Sequence, residues 1–275
     1  MIELIKQQLT KSMSDEEKLN RCRELVQLLC LKIFDEHKFF DNLAFTGGTA
    51  LRVVFGMRRF SEDLDFSLAK KEGYSFSRMN DDVLKALALA GLKAESKPKA
   101  EKTVQSTMLK FPGVLKEIGL SPLGSQKLSI KLEVDTNPPR GGHVQNRIIQ
   151  RVYAFNVAHF DLSSMFATKL HACFYRTYVK GRDYYDFIWY MGNKVKPNFT
   201  LLNNAIAQTQ GQNPAIDEGT FREFLLKGIE KVDFKEAQKD VERFLEDKSE
   251  LRLFDTKLIR SSIESVYGEE TMSEK

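Results

Sequence analysis

The chain has 275 residues, 42% apolar and 29% charged, with a formal net charge of +4. That balance excludes a disordered polypeptide, and no apolar run reaches the roughly 18–20 residues of a membrane span. Three cysteines (Cys22, Cys30 and Cys173), none in a Cys-x-x-Cys pair, exclude a disulfide framework and a zinc knuckle; the N-terminal residues lack a signal peptide's apolar centre, so the cytoplasm is the expected compartment.

Charge is unevenly spread. Residues 93–151 carry a net +6 and residues 230–275 a net −4. A basic middle suits a polyanionic partner such as RNA, and the plain alternative is a solvated surface.

In chain order, residues 15–40 read as a helix, with Ser14 and Glu17 in capping-box spacing and Leu25, Leu28, Leu29 and Ile33 as its apolar stripe. Leu43–Thr46 is a strand that stops at Gly47-Gly48, and Thr49–Phe55 is a short helix ending near Gly56. Leu64–Leu68 is a second strand with Asp63 at its mouth. Asp81–Ala90 is a helix stopped by Gly91. Three strands follow over Thr103–Phe111, Leu128–Asp135 and Ile148–Val157, separated by the turn segments PLGS and NPPRGG.

From about Asp161 the pattern becomes helical: 161–176 with a capping aspartate, 181–192 between two glycines, a break at Pro197, then Phe221–Ile229, Phe234–Leu245 and Leu258–Val266. The fold class is therefore α+β, a mixed β-sheet lobe with flanking helices followed by an all-helical lobe. The expected domains are residues 1–158, including the N-terminal helix, and 159–275.

The stretch Phe45–Leu68 holds the densest chemistry. Glycine at 47 and 48 lets a phosphate approach the backbone, the N–H groups opening the next helix would face it, and Thr49 adds a hydroxyl. A strand-to-helix turn also uses glycine for steric reasons alone, and no Walker lysine follows. Asp63 and Asp65 stand two apart in a strand and so share a face, opposite Leu64, Phe66 and Leu68. Two carboxylates on one face repel unless a cation lies between them, which points to Mg²⁺; a solvated turn is the alternative. The segment IKLEVD repeats the alternation, so Glu133 or Asp135 could complete a carboxylate set for two metal ions.

In the helical part, Met165, Lys169, Ala172 and Arg176 share a face, and Lys169 either snorkels to water or meets a buried anion such as a triphosphate. Arg182 and Asp186 share a face of the next helix, where they could be no more than a surface i,i+4 pair. The four histidines show no metal-binding spacing, no Gly-x-Ser-x-Gly elbow occurs, and Cys173 has no evident activating partner.

Taken in order, GGTAL, RRFSEDLDF, KLE, KLHA with an arginine behind it, and GRDYYDFIW resemble the AbiEii-type nucleotidyltransferases of the polymerase-beta-like superfamily. The matching blocks span about residues 45–190. The resemblance implies a nucleotidyltransferase-like sheet lobe and an NTP-dependent transferase. It also implies the toxin half of a type IV toxin–antitoxin or abortive-infection pair, with a cognate antitoxin and a role in phage defence. Some relatives add nucleotides to the 3′ acceptor end of tRNA.

Carried over, Gly48 and Thr49 stand at the family's Gly-Ser phosphate contact, with Gly47 beside them, and Asp63 and Asp65 at its metal-binding pair. Glu133 matches the third carboxylate, Lys169 the triphosphate lysine and Asp186 the late aspartate. Ser61 precedes the metal pair as in relatives, and Arg182 joins the nucleotide contacts. Thr49 replaces the usual serine, and Asp135 leaves the identity of the third carboxylate open. The implied reaction moves NMP from NTP to an RNA 3′ end, most readily a tRNA acceptor stem, with Mg²⁺ and without a membrane. The competing readings are transfer to a protein side chain, including self-modification, and a non-catalytic NTP-binding partner protein. The site is expected to draw on both lobes.

Overall fold

In the computed structural model, which describes residues 1–268, the chain begins with α1 (Ile2–Gln8) and the long α2 (Asp15–Glu36). The capping box is formed: the Glu17 amide donates to Ser14 Oγ at 3.2 Å, and the Ser14 amide donates to the Glu17 carboxylate at 2.6 Å. The helix ends at Glu36, short of the expected residue 40, because Lys38 takes a left-handed turn (φ 58°). Then come β1 (Leu43–Thr46), α3 (Gly47–Phe55) and β2 (Asp63–Leu68). Next are α4 (Phe76–Leu89), β3 (Val104–Pro112), α5 (Val114–Glu117) and β4 (Lys127–Asp135). The hairpin strands β5 (Val144–Gln150) and β6 (Ala154–Phe160) follow.

The helical part runs through α6 (Leu162–Tyr175), α7 (Gly181–Gly192), α8 (Phe199–Gln210) and α9 (Glu218–Ile229), then α10 (Phe234–Val241) and α11 (Thr256–Tyr267). No helix among the described residues is long and apolar enough to cross a membrane.

Several boundaries differ from the sequence expectation, each for a local reason. The expected strand Ile148–Val157 is two strands, because the chain reverses at Arg151–Tyr153 without a glycine, proline or asparagine to mark the turn. Helix α8 follows directly on the expected break at Pro197, where Asn198 caps it by accepting from the Leu201 amide at 3.0 Å. Helix α4 starts five residues before Asp81, capped by Ser75, and its first turn buries Phe76 and Met79 on either side of the polar Ser77-Arg78.

The chain forms two compact units. The first is Met1–Pro138 with Val144–Phe160, and the second is Pro139–His143 with the described chain from Asp161 onward. In the first, six strands form one mixed sheet in the order β3-β4-β2-β1-β6-β5. β2 lies antiparallel to β1 and parallel to β4, with Asp65 paired to Glu133. One face is the core. Leu64, Phe66, Leu132 and Val134 are buried, and the Phe66 ring stacks on Phe34 of α2 at 4.7 Å between centroids. Each such ring contributes roughly 1.5–3 kcal/mol by leaving water.

A buried ion cluster fixes α3 against α2. Glu24, 3% exposed, accepts from Arg52 Nε of α3 and from Arg21 Nη1, both at 2.6 Å, with Arg151 at 3.5 Å. Burial opposes its charge, yet the surrounding arginines hold its carboxyl below the usual glutamate range. Arg52 also donates to the Arg58 carbonyl at 2.7 Å and lies over the Phe60 ring at 4.0 Å, so the same residue holds the loop entering β2. Glu24→Ala takes the carboxylate away from the buried Arg52 guanidinium and is expected to cost about 3–5 kcal/mol in urea unfolding.

In the second unit only helices occur among the described residues. Phe166 of α6 stacks on Tyr190 of α7 at 4.3 Å, and Tyr184 donates to the Cys173 carbonyl at 2.7 Å. Asp161 caps α6 as expected, accepting from the Ser164 amide at 2.8 Å.

Candidate active site

The strand period alone places Asp63 and Asp65 on the polar face of β2, and both are half-buried there. In β4, buried Leu132 and Val134 alternate with half-buried Lys131, Glu133 and Asp135. The parallel register sets Asp63 beside Lys131, Asp65 beside Glu133, and Ser67 beside Asp135. Glu133 is thus the acid next to the aspartate pair, and Asp135 lies a further two residues along. Asp135 accepts from the Asn137 amide at 2.9 Å, and its burial raises its pKa.

Gly47 and Gly48 open α3, and Gly47 has φ 76°. A Cβ on Gly47 would overlap Asp65 Oδ2, and one on Gly48 would overlap Arg59 Nη2. The start of α3 therefore touches a carboxylate on one side and a guanidinium on the other. The first helical amides have no intrahelical partner, and Thr46 gives no side-chain cap. An anion held there would meet N–H groups and the helix dipole, with Arg59 alongside. Gly47→Ala adds left-handed strain of roughly 1–2 kcal/mol and displaces Asp65. It is expected to lower nucleotidyl transfer about a hundredfold, as misplacement of a reacting group does, measured with labelled NTP.

Other expected contacts fall differently. Thr49 is buried, and its hydroxyl donates to the Asp63 carbonyl, so it ties α3 to the start of β2. Ser61 is buried, and its carbonyl accepts from Gln27 Nε2 at 3.2 Å. Both act on the placement of Asp63 through the backbone. Arg59 is buried and donates to the Phe60 carbonyl at 2.8 Å; its guanidinium stands beside Gly48, a placement that spacing did not reveal.

In the second unit Lys169 does meet buried anions, and they are the protein's own. Its ammonium is 2.8 Å from Asp183 Oδ1 and 2.8 Å from Asp186 Oδ2. Asp186 is completely buried, so it is not half of a surface pair with Arg182. The Arg182 guanidinium lies over the Phe244 ring at 4.3 Å. Arg176 binds the second oxygen of Asp183. Burial works against the Asp183 charge, but Lys169 and Arg176 more than offset it and hold the carboxyl at about 2. Asp183 was not singled out from the sequence, although its three-residue spacing to Asp186 puts both on the side of α7 that meets Lys169.

The carboxylates of β2 and β4 are of the chemical type that a divalent cation takes. Asp63, Asp65 and Glu133 offer hard oxygen ligands from neighbouring strands, as Mg²⁺ prefers. Lys131 already bonds Glu133 at 2.8 Å. Burial works against its charge, and the neighbouring Glu133, Asp63 and Asp65 raise its pKa in net. The positive charge on this face is the Lys131 ammonium. Among the described residues no group of three or more His, Cys, Asp or Glu side chains is so placed that it could by itself hold a metal ion.

Cys22 and Cys30 are buried, which pushes each thiol up to about 12, and Cys173 is likewise raised by burial. A cysteine nucleophile finds no support in these environments.

A family model described as "Nucleotidyl transferase AbiEii toxin, Type IV TA system" matches residues 29–260. The chain belongs to the AbiEii nucleotidyltransferase toxin family. It is accordingly a nucleotidyltransferase, as its sequence motifs implied. The AbiEii match covers both the sheet with its carboxylates and most of the helical unit.

Among solved structures, the chain is similar to JHP933 from Helicobacter pylori at 19% identity, over 87% of this chain and 93% of that one, with a TM-score of 0.46. It is also similar to a "putative nucleotidyltransferase" from H. pylori at 19% identity, over 92% and 99% respectively, with a TM-score of 0.48. At these scores neither likeness bears on the chemistry. No curated protein gives a match.

Proposed function

We propose that this AbiEii-family nucleotidyltransferase moves NMP from an NTP to the 3′ hydroxyl of an RNA, with a tRNA acceptor end as the favoured target. The observation that carries the reading is the pairing of Asp65 with Glu133 across β2 and β4, with Gly47 at the start of α3 against Asp65. Carboxylates for a cation and amides for a phosphate are thereby adjacent.

In this proposal Asp63, Asp65 and Glu133 hold Mg²⁺, which when bound would neutralise charge on the triphosphate and on the attacking oxygen. Glu133, rather than Asp135, is the third carboxylate because the register sets it beside Asp65. The amides at Gly47 and Gly48 seat the phosphates, with Arg59 beside them countering their charge. The acceptor oxygen attacks the α-phosphorus, forming a new P–O bond. The bond from that phosphorus to the bridging oxygen of the β-phosphate breaks and pyrophosphate leaves. The hydroxyl proton passes to the Glu133 carboxylate. Lys169 is proposed as the triphosphate lysine and Asp186 as the group that orients it, supported by the 2.8 Å pairing between them.

The biological reading is a toxin restrained by a cognate antitoxin and acting in phage defence, and it rests on the family. The test incubates purified protein with each α-labelled NTP, Mg²⁺ and total tRNA. Label on tRNA is expected. Label on polypeptide would replace the acceptor, and no transfer from any NTP by protein that still binds NTP would end the proposal.

A further inference from the structure

The outer edge of the sheet carries a feature that the nucleotide site proposed above leaves unassigned. Residues 95–99 run beside β3, joined to it by bridges from Glu95 to Lys110 and from Lys99 to Ser106. Between this segment and the strands lies a groove of about 410 Å³. Lys97, Lys99, Lys110 and Lys131 line it. Glu95 also lines it, but its carboxylate is engaged with Lys127 at 2.5 Å. Lys97, Lys99 and Lys110 are exposed, and none has a carboxylate within ion-pairing distance among the described residues.

Strand alternation explains the convergence. Ser106 pairs with Glu133, and Met108 pairs with Lys131, so the groove wall and the carboxylate set share one face of the sheet. Lys131 belongs to both, since it lines the groove and bonds Glu133. Met108, 38% exposed, gives the floor an apolar patch. Lysines on an outer strand also serve to block strand addition, and that role needs only dispersed charge. Here the β3 edge is already partly paired by residues 95–99, and the unpaired ammonium groups gather in a concavity that leads to the carboxylates.

We propose that this lysine groove is the track for the phosphate backbone of the acceptor RNA, guiding its 3′ end toward the Asp63–Asp65–Glu133 face. The proposal rests on the reading that the acceptor is RNA. Backbone phosphates are the chemistry that several unpaired ammonium groups along a groove would recognise, by releasing counterions from the nucleic acid.

The test measures binding of fluorescent tRNA to the full chain in EDTA, without NTP, across a salt series. The variant is K97Q/K99Q/K110Q, which leaves Lys131 in place. The control K231Q/K235Q/K239Q removes equal charge from exposed lysines of the helical unit. The groove variant is expected to bind tRNA at least tenfold more weakly near physiological salt, with the slope of log K against log salt reduced by about 2. The control should keep wild-type slope and affinity, and both should bind a fluorescent NTP with Mn²⁺ as the wild type does.

Wild-type tRNA affinity and slope in a folded groove variant would overturn the track while leaving the transferase intact. An equal loss in the control would reduce the effect to net charge and also overturn it. Loss of NTP binding in the groove variant alone would reassign the groove to the triphosphate. If the triple variant failed to fold, K97Q/K99Q would be read in the same way, with a slope change of about 1.4 expected. Failure of wild-type protein to bind tRNA at any salt would instead remove the RNA acceptor, and the track with it.

Discussion

Asp63→Asn is expected to lower nucleotidyl transfer by roughly a thousandfold or more, equivalent to about 4 kcal/mol of lost transition-state stabilisation. The substitution keeps the size of the side chain and removes one of the charges that would hold the cation. Its backbone role persists, because Thr49 donates to the Asp63 carbonyl rather than to its side chain. The fold should survive, and thermal stability without metal should hold or rise as repulsion among Asp63, Asp65 and Glu133 is relieved. Mn²⁺ affinity, followed by spin-resonance titration, should fall with the activity. Unchanged transfer in the folded variant would remove Asp63 from the metal set.

Lys169→Met is expected to destabilise the protein by about 3–5 kcal/mol, because two buried carboxylates lose their shared cation. Asp186 is fully buried with its ammonium partner removed, while Asp183 keeps Arg176. The measurement is urea unfolding followed by circular dichroism, with transfer activity assayed on the folded fraction. Transfer that persists in that fraction would confine Lys169 to a structural role, whereas its loss would support the triphosphate assignment.

The same cluster predicts an acid transition. Burial opposes the Asp183 charge, but Lys169 and Arg176 hold its folded-state pKa at about 2, below the unfolded value near 3.9. A depressed carboxylate stabilises the fold above its unfolded pKa and loses that contribution as pH falls through the folded one. The loss is expected between about pH 4 and about pH 2, and Asp183→Asn should flatten that part of the stability profile.

Where sequence reading succeeded, a short-range rule was sufficient. The Ser14–Glu17 capping box, the cap at Asp161 and the stop of β1 at Gly47 depend on residues within one turn of each other. The alternation of Asp63 and Asp65 against Leu64 and Phe66 needs only the two-residue period of a strand. The β5–β6 reversal lacked a local mark, since it has no turn residue, whereas α8 carries one in its Asn198 cap but follows directly on Pro197, which reads as a break.

The motifs in order were enough to establish the α+β class and the AbiEii nucleotidyltransferase family, and they named the side chains proposed for the transfer. Tertiary structure alone decided which of those side chains meet. Glu133 and Asp135 are equivalent by period, and only the parallel register of β4 on β2 sets Glu133 beside Asp65. Lys169 could have reached water; the packing of α7 on α6 gave it Asp183 and Asp186 instead. Periodicity assigns a residue to a face of its own element. Which neighbour that face meets is set by packing between elements far apart in the chain, where burial makes the pairing of charge decisive.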